Sequence, residues 1–310
     1  MFVVVLLFLV GLAFLWKGGD LFVDQAAYFA RRFGISEILI GATVVSIGTT
    51  LPEVTVSALA AANGISDIAY GNAVGSVICN TGLIAGILLL FRPGRVVRAE
   101  IALSTSFFFA AAALFALILV QLGEIARWAG LVLLALFAAY LLSTSYRAWR
   151  ASSAREEGMA EPRGPALKNA LLLALGATLI FVGSRLLIAN GIIIAQALRV
   201  PERIIALTFI ALGTSLPELA TAVVAIARGH GAISLGNIIG ANFFNLTLVL
   251  GLSAVIFPIS TPGAALPNDV RSLIVPMLLL TLPTLIRGRT MRLQGALLLA
   301  IYAWYCFQLF

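Results

Sequence analysis

Long apolar runs broken by short polar stretches dominate the chain, and the runs show no strand-like alternation. A bilayer-spanning helix needs about 20 apolar residues. Roughly ten runs of that order occur, predicting helices over residues 2–30, 35–63, 67–90, 99–121, 124–150, 167–197, 201–228, 232–257, 267–287 and 291–310. Helices satisfy their own backbone groups, which a spanning segment must do in hydrocarbon. The first run has no basic leader and no small-residue cleavage pattern, so it is expected to stay as a helix and not to act as a signal peptide.

The pattern contains an internal repeat. Advancing by 165 positions lays Gly48, Thr49, Leu51, Pro52 and Glu53 onto Gly213, Thr214, Leu216, Pro217 and Glu218, with Thr50 on Ser215. The same advance, without a gap, lays Gly71, Asn72, Gly75 and Asn80 onto Gly236, Asn237, Gly240 and Asn245. An odd number of helices per copy turns the second copy over in the membrane, the inverted-repeat plan of secondary transporters. The expected fold is therefore an all-α membrane protein of ten transmembrane helices as two inverted five-helix repeats. The repeats occupy residues 1–150 and 167–310, joined by a polar cytoplasmic linker over 151–166.

Composition agrees. Of 310 residues, 61% are hydrophobic and 11% charged, with mean hydropathy +1.08, too apolar for an ordinary soluble domain. The net charge of +7 forms no continuous patch with interleaved aromatics, which excludes a nucleic-acid surface. The basic residues track topology instead. Loops on one side carry Arg31, Arg32, Arg92, Arg95, Arg98, Arg147, Arg150 and others, while the opposite loops carry only Arg127, Arg199, Arg203 and Arg271. By the positive-inside rule both termini lie outside, in a multi-pass protein of the cell membrane. Cys79 and Cys306, far apart in sequence, offer no disulfide framework or soft-metal cluster and read as small apolar residues.

The chemistry gathers at two carboxylates. Glu53 and Glu218 stand deep in apolar runs at equivalent repeat positions, and an ionisable group there is costly enough to imply function. Pro52 and Pro217 cannot donate to the carbonyls of Gly48 and Gly213, four residues back, which leaves those oxygens available. Thr49 and Thr214 precede the glutamates by one helical turn and share their face. Every candidate ligand is oxygen, a set suited to Ca2+ and unsuited to zinc or copper. Asn80 and Asn245, placed symmetrically, are read as ion- or water-contacting amides, and the motif glycines as helix-packing positions.

The segments GTTLPE and GTSLPE, each followed by GNxxGxxxxN, resemble the two alpha repeats of the cation/calcium antiporter superfamily, particularly the prokaryotic sodium/calcium exchangers. The resemblance covers residues 40–86 and 205–251 by motif. It implies Glu53 and Glu218 as central Ca2+ ligands, added oxygens from Thr49 and Thr214, and Asn80 at the border of the site. It implies flanking Na+ sites from Ser46, Thr50, Ser76, Ala211 and Ser215. Two positions depart from the pattern: Ala241 stands where a serine usually mirrors Ser76, and Asn245 where some members carry aspartate. Two carboxylates in place of three argue against potassium dependence.

The expected activity is Ca2+/Na+ antiport by alternating access, without a cofactor, by a monomer in the bilayer. Exchange of Ca2+ for H+ through the same glutamates is the alternative, and a passive channel stays open. An intramembrane hydrolase would use the two acids but explains neither the duplicated Asn and Thr nor the repeat. Among other polar residues, Lys17, Asp20 and Asp24 are spaced for a local ion pair on the first helix, with Arg185 on the sixth. His230 is expected as an exposed loop residue, and Trp16, Trp128, Trp149 and Trp304 as interfacial anchors near helix ends.

Overall fold

The computed structural model describes residues 1–153, 165–200, 213–260 and 266–308. The described chain is helical apart from two short strands, β1 (Glu124–Ile125) and β2 (Ile259–Ser260). The helices are α1 (Phe2–Phe33), α2 (Glu37–Ala62), α3 (Ser66–Phe91), α4 (Arg98–Leu122), α5 (Arg127–Ser153), α6 (Ala166–Ala197), α7 (Leu216–Arg228), α8 (Gly231–Ile256), α9 (Leu266–Arg287) and α10 (Arg292–Gln308). Eight of them are long and apolar enough to cross a membrane, all except α7 and α10. The first twelve residues of the segment expected over 201–228, and most of the expected linker, lie outside the described residues.

The helix ends follow local chemistry. The backbone N–H of Leu39 donates to Ser36 Oγ at 3.2 Å, capping α2, and Glu37 occupies its electropositive first turn. Gly34 ends α1 in the left-handed region at φ +65°, a conformation that costs glycine nothing. Inside α2, α3 and α8 the helix widens to π-type turns over Gly41–Val45, Asn80–Ile84 and Asn245–Val249. Such turns displace side chains from the regular helical positions and recur at functional sites. Here two of them begin at the repeat-related Asn80 and Asn245. Pro52 sits inside α2, whereas Pro217 falls in the first turn of α7, where its missing N–H has no helical partner to lose.

Burial sorts the helices into centre and periphery. The apolar stretch of α8 is 83% buried and that of α3 72%, against 22% for α1 and for α6. The central core joins Val77 and Ile78 of α3, Phe108 and Phe115 of α4, Tyr140 of α5 and Phe243 and Phe244 of α8. Tyr140 is fully buried and spends its hydroxyl well, donating to Ala42 O at 2.9 Å and pairing with Ser104 Oγ at 2.9 Å. Trp128, Trp149 and Trp304 stand exposed near helix ends, as expected. Trp16 is also exposed but lies halfway along α1, so it is not an end anchor.

Equivalent contacts recur at the 165-residue interval. Helices α1 and α6 cross antiparallel through glycines, Gly11 against Gly183 and Gly18 against Gly176. A Cβ at any of the four would stand 2.8–3.0 Å from the facing carbonyl oxygen. Gly130 of α5 meets Gly251 of α8 in the same way, as Gly295 of α10 meets Gly86 of α3. Without a hydrophobic force between helices in lipid, such close backbone approach supplies the packing. Residue Glu124 pairs with Ser260 across β1 and β2, and Arg289 bridges to Arg95 at the corresponding positions. Flanking bonds secure that bridge, from Val96 N to Gly288 O and from Thr290 N to Gly94 O, each 2.9 Å.

Candidate functional site

Glu53 of α2 and Glu218 of α7 are both wholly buried and lie within electrostatic range of each other. Each accepts one long hydroxyl contact, Glu53 Oε1 from Ser76 Oγ at 3.4 Å and Glu218 Oε1 from Thr50 Oγ1 at 3.4 Å. The second oxygen of each carboxylate has no hydrogen-bond partner among the described residues. Neither do both polar atoms of Asn80, both of Asn245, or Ser215 Oγ, all in fully or almost fully buried residues. Leaving a buried polar group unpaired costs about 1–3 kcal/mol, and more for a charge. A set of such groups is therefore expected where a ligand satisfies them, and a hard cation suits carboxylate, amide and hydroxyl oxygens alike.

The surrounding polar residues hold this set in a crossed arrangement. Thr49 Oγ1 donates to Asn237 Oδ1 at 3.1 Å, and Thr214 Oγ1 donates to Asn72 Oδ1 at 3.0 Å, so each threonine is tied to the asparagine of the other half. Donation uses the hydroxyl proton and leaves lone pairs free to face a cation. Asn72 also donates through Nδ2 to Glu53 O at 3.2 Å and to Ser57 Oγ at 2.8 Å. Ser76 Oγ and Thr214 Oγ1 stand 3.5 Å apart, and Ser46 Oγ donates to Gly41 O and Asn237 O at 2.9 and 3.1 Å. Among the sequence candidates, Ala211 lies outside the described residues. The positioning role of Asn72 and Asn237 was missed, although both belong to the duplicated motif.

The departure at Ala241 is visible as geometry. Ser76 bonds the glutamate of its own half, whereas Ala241 offers no hydroxyl and Glu218 is reached from Thr50 in the other half. Ser215, the repeat partner of Thr50, has no such bond among the described residues.

A cavity of about 530 Å3 adjoins the site, walled by Pro52, Val56, Ile68, Gly71, Asn72, Gly75, Ser76, Cys79, Phe181, Ser184, Arg185, Ile188, Gly213, Thr214, Pro217, Tyr302, Tyr305 and Cys306. One expectation changes here. Gly236 and Gly240 pack tightly, since a Cβ there would collide with Ile38 O and with the backbone of Ala42, but Gly71 is exposed and both Gly71 and Gly75 line the cavity. Packing therefore explains only the second pair. The two cysteines, distant in sequence, are both free and share one cavity wall, because α10 lies against α3 at Gly82 and Gly86.

Two further expectations are corrected. Asp20 pairs with Arg228 of α7, whose guanidinium nitrogens approach to 2.9 and 3.1 Å, and Asp24 follows at 3.5 Å; the local pair with Lys17 is not the one formed. His230 is not a free loop residue: its Nδ1 lies 2.7 Å from Glu37 Oε1, and its side chain is 23% exposed. The first error came from reading local spacing and the second from reading a Gly-rich turn as solvent-exposed, where in each case a distant helix supplies the partner.

A helical, multi-pass membrane protein with paired buried carboxylates among hydroxyls and amides has the build of an ion transporter. The chain belongs to the sodium/calcium exchanger protein family, which matches residues 3–146 and 168–310. It is 35% identical to the putative antiporter CaxA of Alkalimonas amylolytica, across 100% of this chain and 99% of that one. It is 32% identical to the sodium/calcium exchanger MaX1 of Methanosarcina acetivorans, across 98% of each. Among solved structures it is similar to the sodium-calcium exchanger NCX_Mj soaked with zero Na+ and Ca2+, at 32% identity, TM-score 0.83 and full coverage of both chains. The same protein soaked with 2.5 mM Na+ and 10 mM Sr2+ gives 33% identity, TM-score 0.81 and 97% coverage of each.

Proposed function

We propose that this protein exchanges Ca2+ for Na+ across the membrane by alternating access, with Ca2+ held between Glu53 and Glu218. The observation that carries the reading is the set of unpartnered buried oxygens at repeat-related positions, Glu53 with Glu218 and Asn80 with Asn245. Thr49 and Thr214 add hydroxyl oxygens, and Ser46, Thr50, Ser76, Ala211 and Ser215 form the flanking Na+ sites. Movement requires cargo because two close carboxylates stranded in low dielectric repel and are poorly solvated; a bound cation removes both costs.

The chain is read as ten spans in two inverted repeats, supported by the paired glycine crossings and the two equivalent backbone bridges. The family match breaks over the segment taken as a cytoplasmic linker. With both termini outside, as the distribution of arginine suggests, the cavity opens outward. The working unit is a monomer, and no cofactor takes part.

Vesicles bearing the protein should take up 45Ca2+ against an opposing Na+ gradient, and Glu53→Gln or Glu218→Gln should abolish uptake. Retained transport in either variant would overturn the ligand assignment. Exchange of Ca2+ for H+ is the second reading, favoured by Ala241, which deprives Glu218 of the hydroxyl that Ser76 gives Glu53. Uptake driven by a pH gradient in sodium-free buffer decides between them.

A further inference from the structure

The repeat makes it possible to compare two seams that the 165-residue interval relates. The first joins α1 to α7. Gly19 lies against Val224, where a Cβ would stand 2.7 Å from Val224 Cγ2, and Asp20 pairs with Arg228 at 2.9 Å. Val224 is 2% exposed. The second seam joins α6 to α2, where Ser184 and Arg185 take the places of Gly19 and Asp20, and Leu59 and Asn63 those of Val224 and Arg228. There the contact is absent among the described residues: Ser184 and Arg185 line the cavity, and Leu59 is 60% exposed. The Arg185 guanidinium lies over the Phe181 ring at 5.5 Å.

We propose that Asp20 and Arg228 are positioning residues that latch the α1–α7 seam, and that Arg185 meets Asn63 across the α6–α2 seam when the cavity closes. The inference rests on the exchange reading, since it describes how the two passages of such a transporter are held. Its chemistry is complementary. Asn63 spends Nδ2 on Leu59 O at 2.7 Å, and its carbonyl oxygen can accept from a guanidinium. The pair at the first seam is charged on both sides, with Asp24 adding a second carboxylate at 3.5 Å, whereas the pair at the second seam joins a cation to a neutral amide. The difference biases the resting protein toward the state in which the α1–α7 seam is shut and the cavity stands open.

Thiol labelling of the full-length protein in detergent tests this without an ion gradient. One reporter is Cys306 on the cavity wall, in a Cys79→Ser background; the other is Val224→Cys in a background lacking both native cysteines. Arg228→Ala and Asp20→Asn should each slow maleimide labelling of Cys306 and speed labelling of the residue 224 thiol. The change should be about two- to fivefold, the range that a partly exposed ion pair supports. The exchanged pair Asp20→Arg with Arg228→Asp should return both rates toward the parent values. Opposite shifts with rescue support the latch. Rates that rise together, as in a loosened fold, or that do not move, overturn it. Missing Ca2+ flux in the parent protein would overturn the exchange reading alone, and unmoved labelling beside intact exchange would overturn the latch alone.

Discussion

Replacing Thr49 by valine keeps the side-chain volume close to its original value and removes a single hydroxyl, the one that donates to Asn237 Oδ1 at 3.1 Å. Thr49 and Asn237 are each 1% exposed, so no solvent reaches the abandoned amide oxygen. An unsatisfied buried acceptor costs about 1–3 kcal/mol, equivalent to about a 5- to 150-fold change if expressed wholly in Ca2+ binding. The mirror substitution Thr214→Val removes the 3.0 Å bond to Asn72, but Asn72 and Thr214 both border the cavity, where water can replace the lost donor. That cost falls to about 0.5–1.5 kcal/mol, or roughly two- to tenfold. Calcium titrations of the purified variants, by calorimetry or equilibrium 45Ca2+ binding, should therefore rank Thr49→Val as weaker than Thr214→Val, and both as weaker than the parent. Equal affinities for all three, or the reverse order, would refute the view that the crossed threonine–asparagine bonds organise the site.

Three further outcomes follow from the same geometry. Ca2+ should raise the thermal midpoint of the parent protein, by an amount equivalent to about 2.7 kcal/mol at one hundred times the dissociation constant, and should leave that of Glu53→Gln unchanged in scanning fluorimetry. Ala241→Ser restores the hydroxyl at the repeat equivalent of Ser76 and should steepen the Na+ dependence of Ca2+ efflux; an unchanged Na+ dependence would remove Ala241 as the reason for the asymmetry. Gly18→Ala forces a Cβ to within 2.8 Å of the Ile180 backbone nitrogen and should destabilise the α1–α6 crossing by about 1–3 kcal/mol, read as a lowered thermal midpoint.

What sequence made legible, and what it did not, divides by the range of the interaction. Glu53 and Glu218 stand out in the sequence because a membrane charge is rare and a gapless repeat is rarer, and Asn80 and Asn245 stand out through the repeat alone. Helix positions were accessible for the same reason, since hydrocarbon admits few backbone conformations. The pairing of Asp20 with Arg228 was not accessible, because its partners are 208 residues apart and a lysine three residues away offered a local substitute. His230 failed likewise, its partner Glu37 standing at the start of another helix. The glycine crossings are legible in the same repeat, since Gly11 and Gly18 map onto Gly176 and Gly183 at the 165-residue interval, but they stand in apolar runs outside the duplicated polar motifs. The π-type turns leave no recognisable mark in the sequence, because they shift one hydrogen-bond register without requiring a particular residue type.

The crossing of α1 and α6 carries a consequence for leakage. Gly11 with Gly183 and Gly18 with Gly176 bring two backbones together at points two helical turns apart, so the helices are fastened at two places and cannot pivot independently. A fastened pair has one displacement to share. Under the proposed exchange, travel that carries α6 onto α2 carries α1 away from α7, so a stroke that closes one door opens the other. On that reading, four residues without side chains keep both doors from standing open together, and the tightness of the membrane against a standing ion gradient becomes a property of glycine spacing.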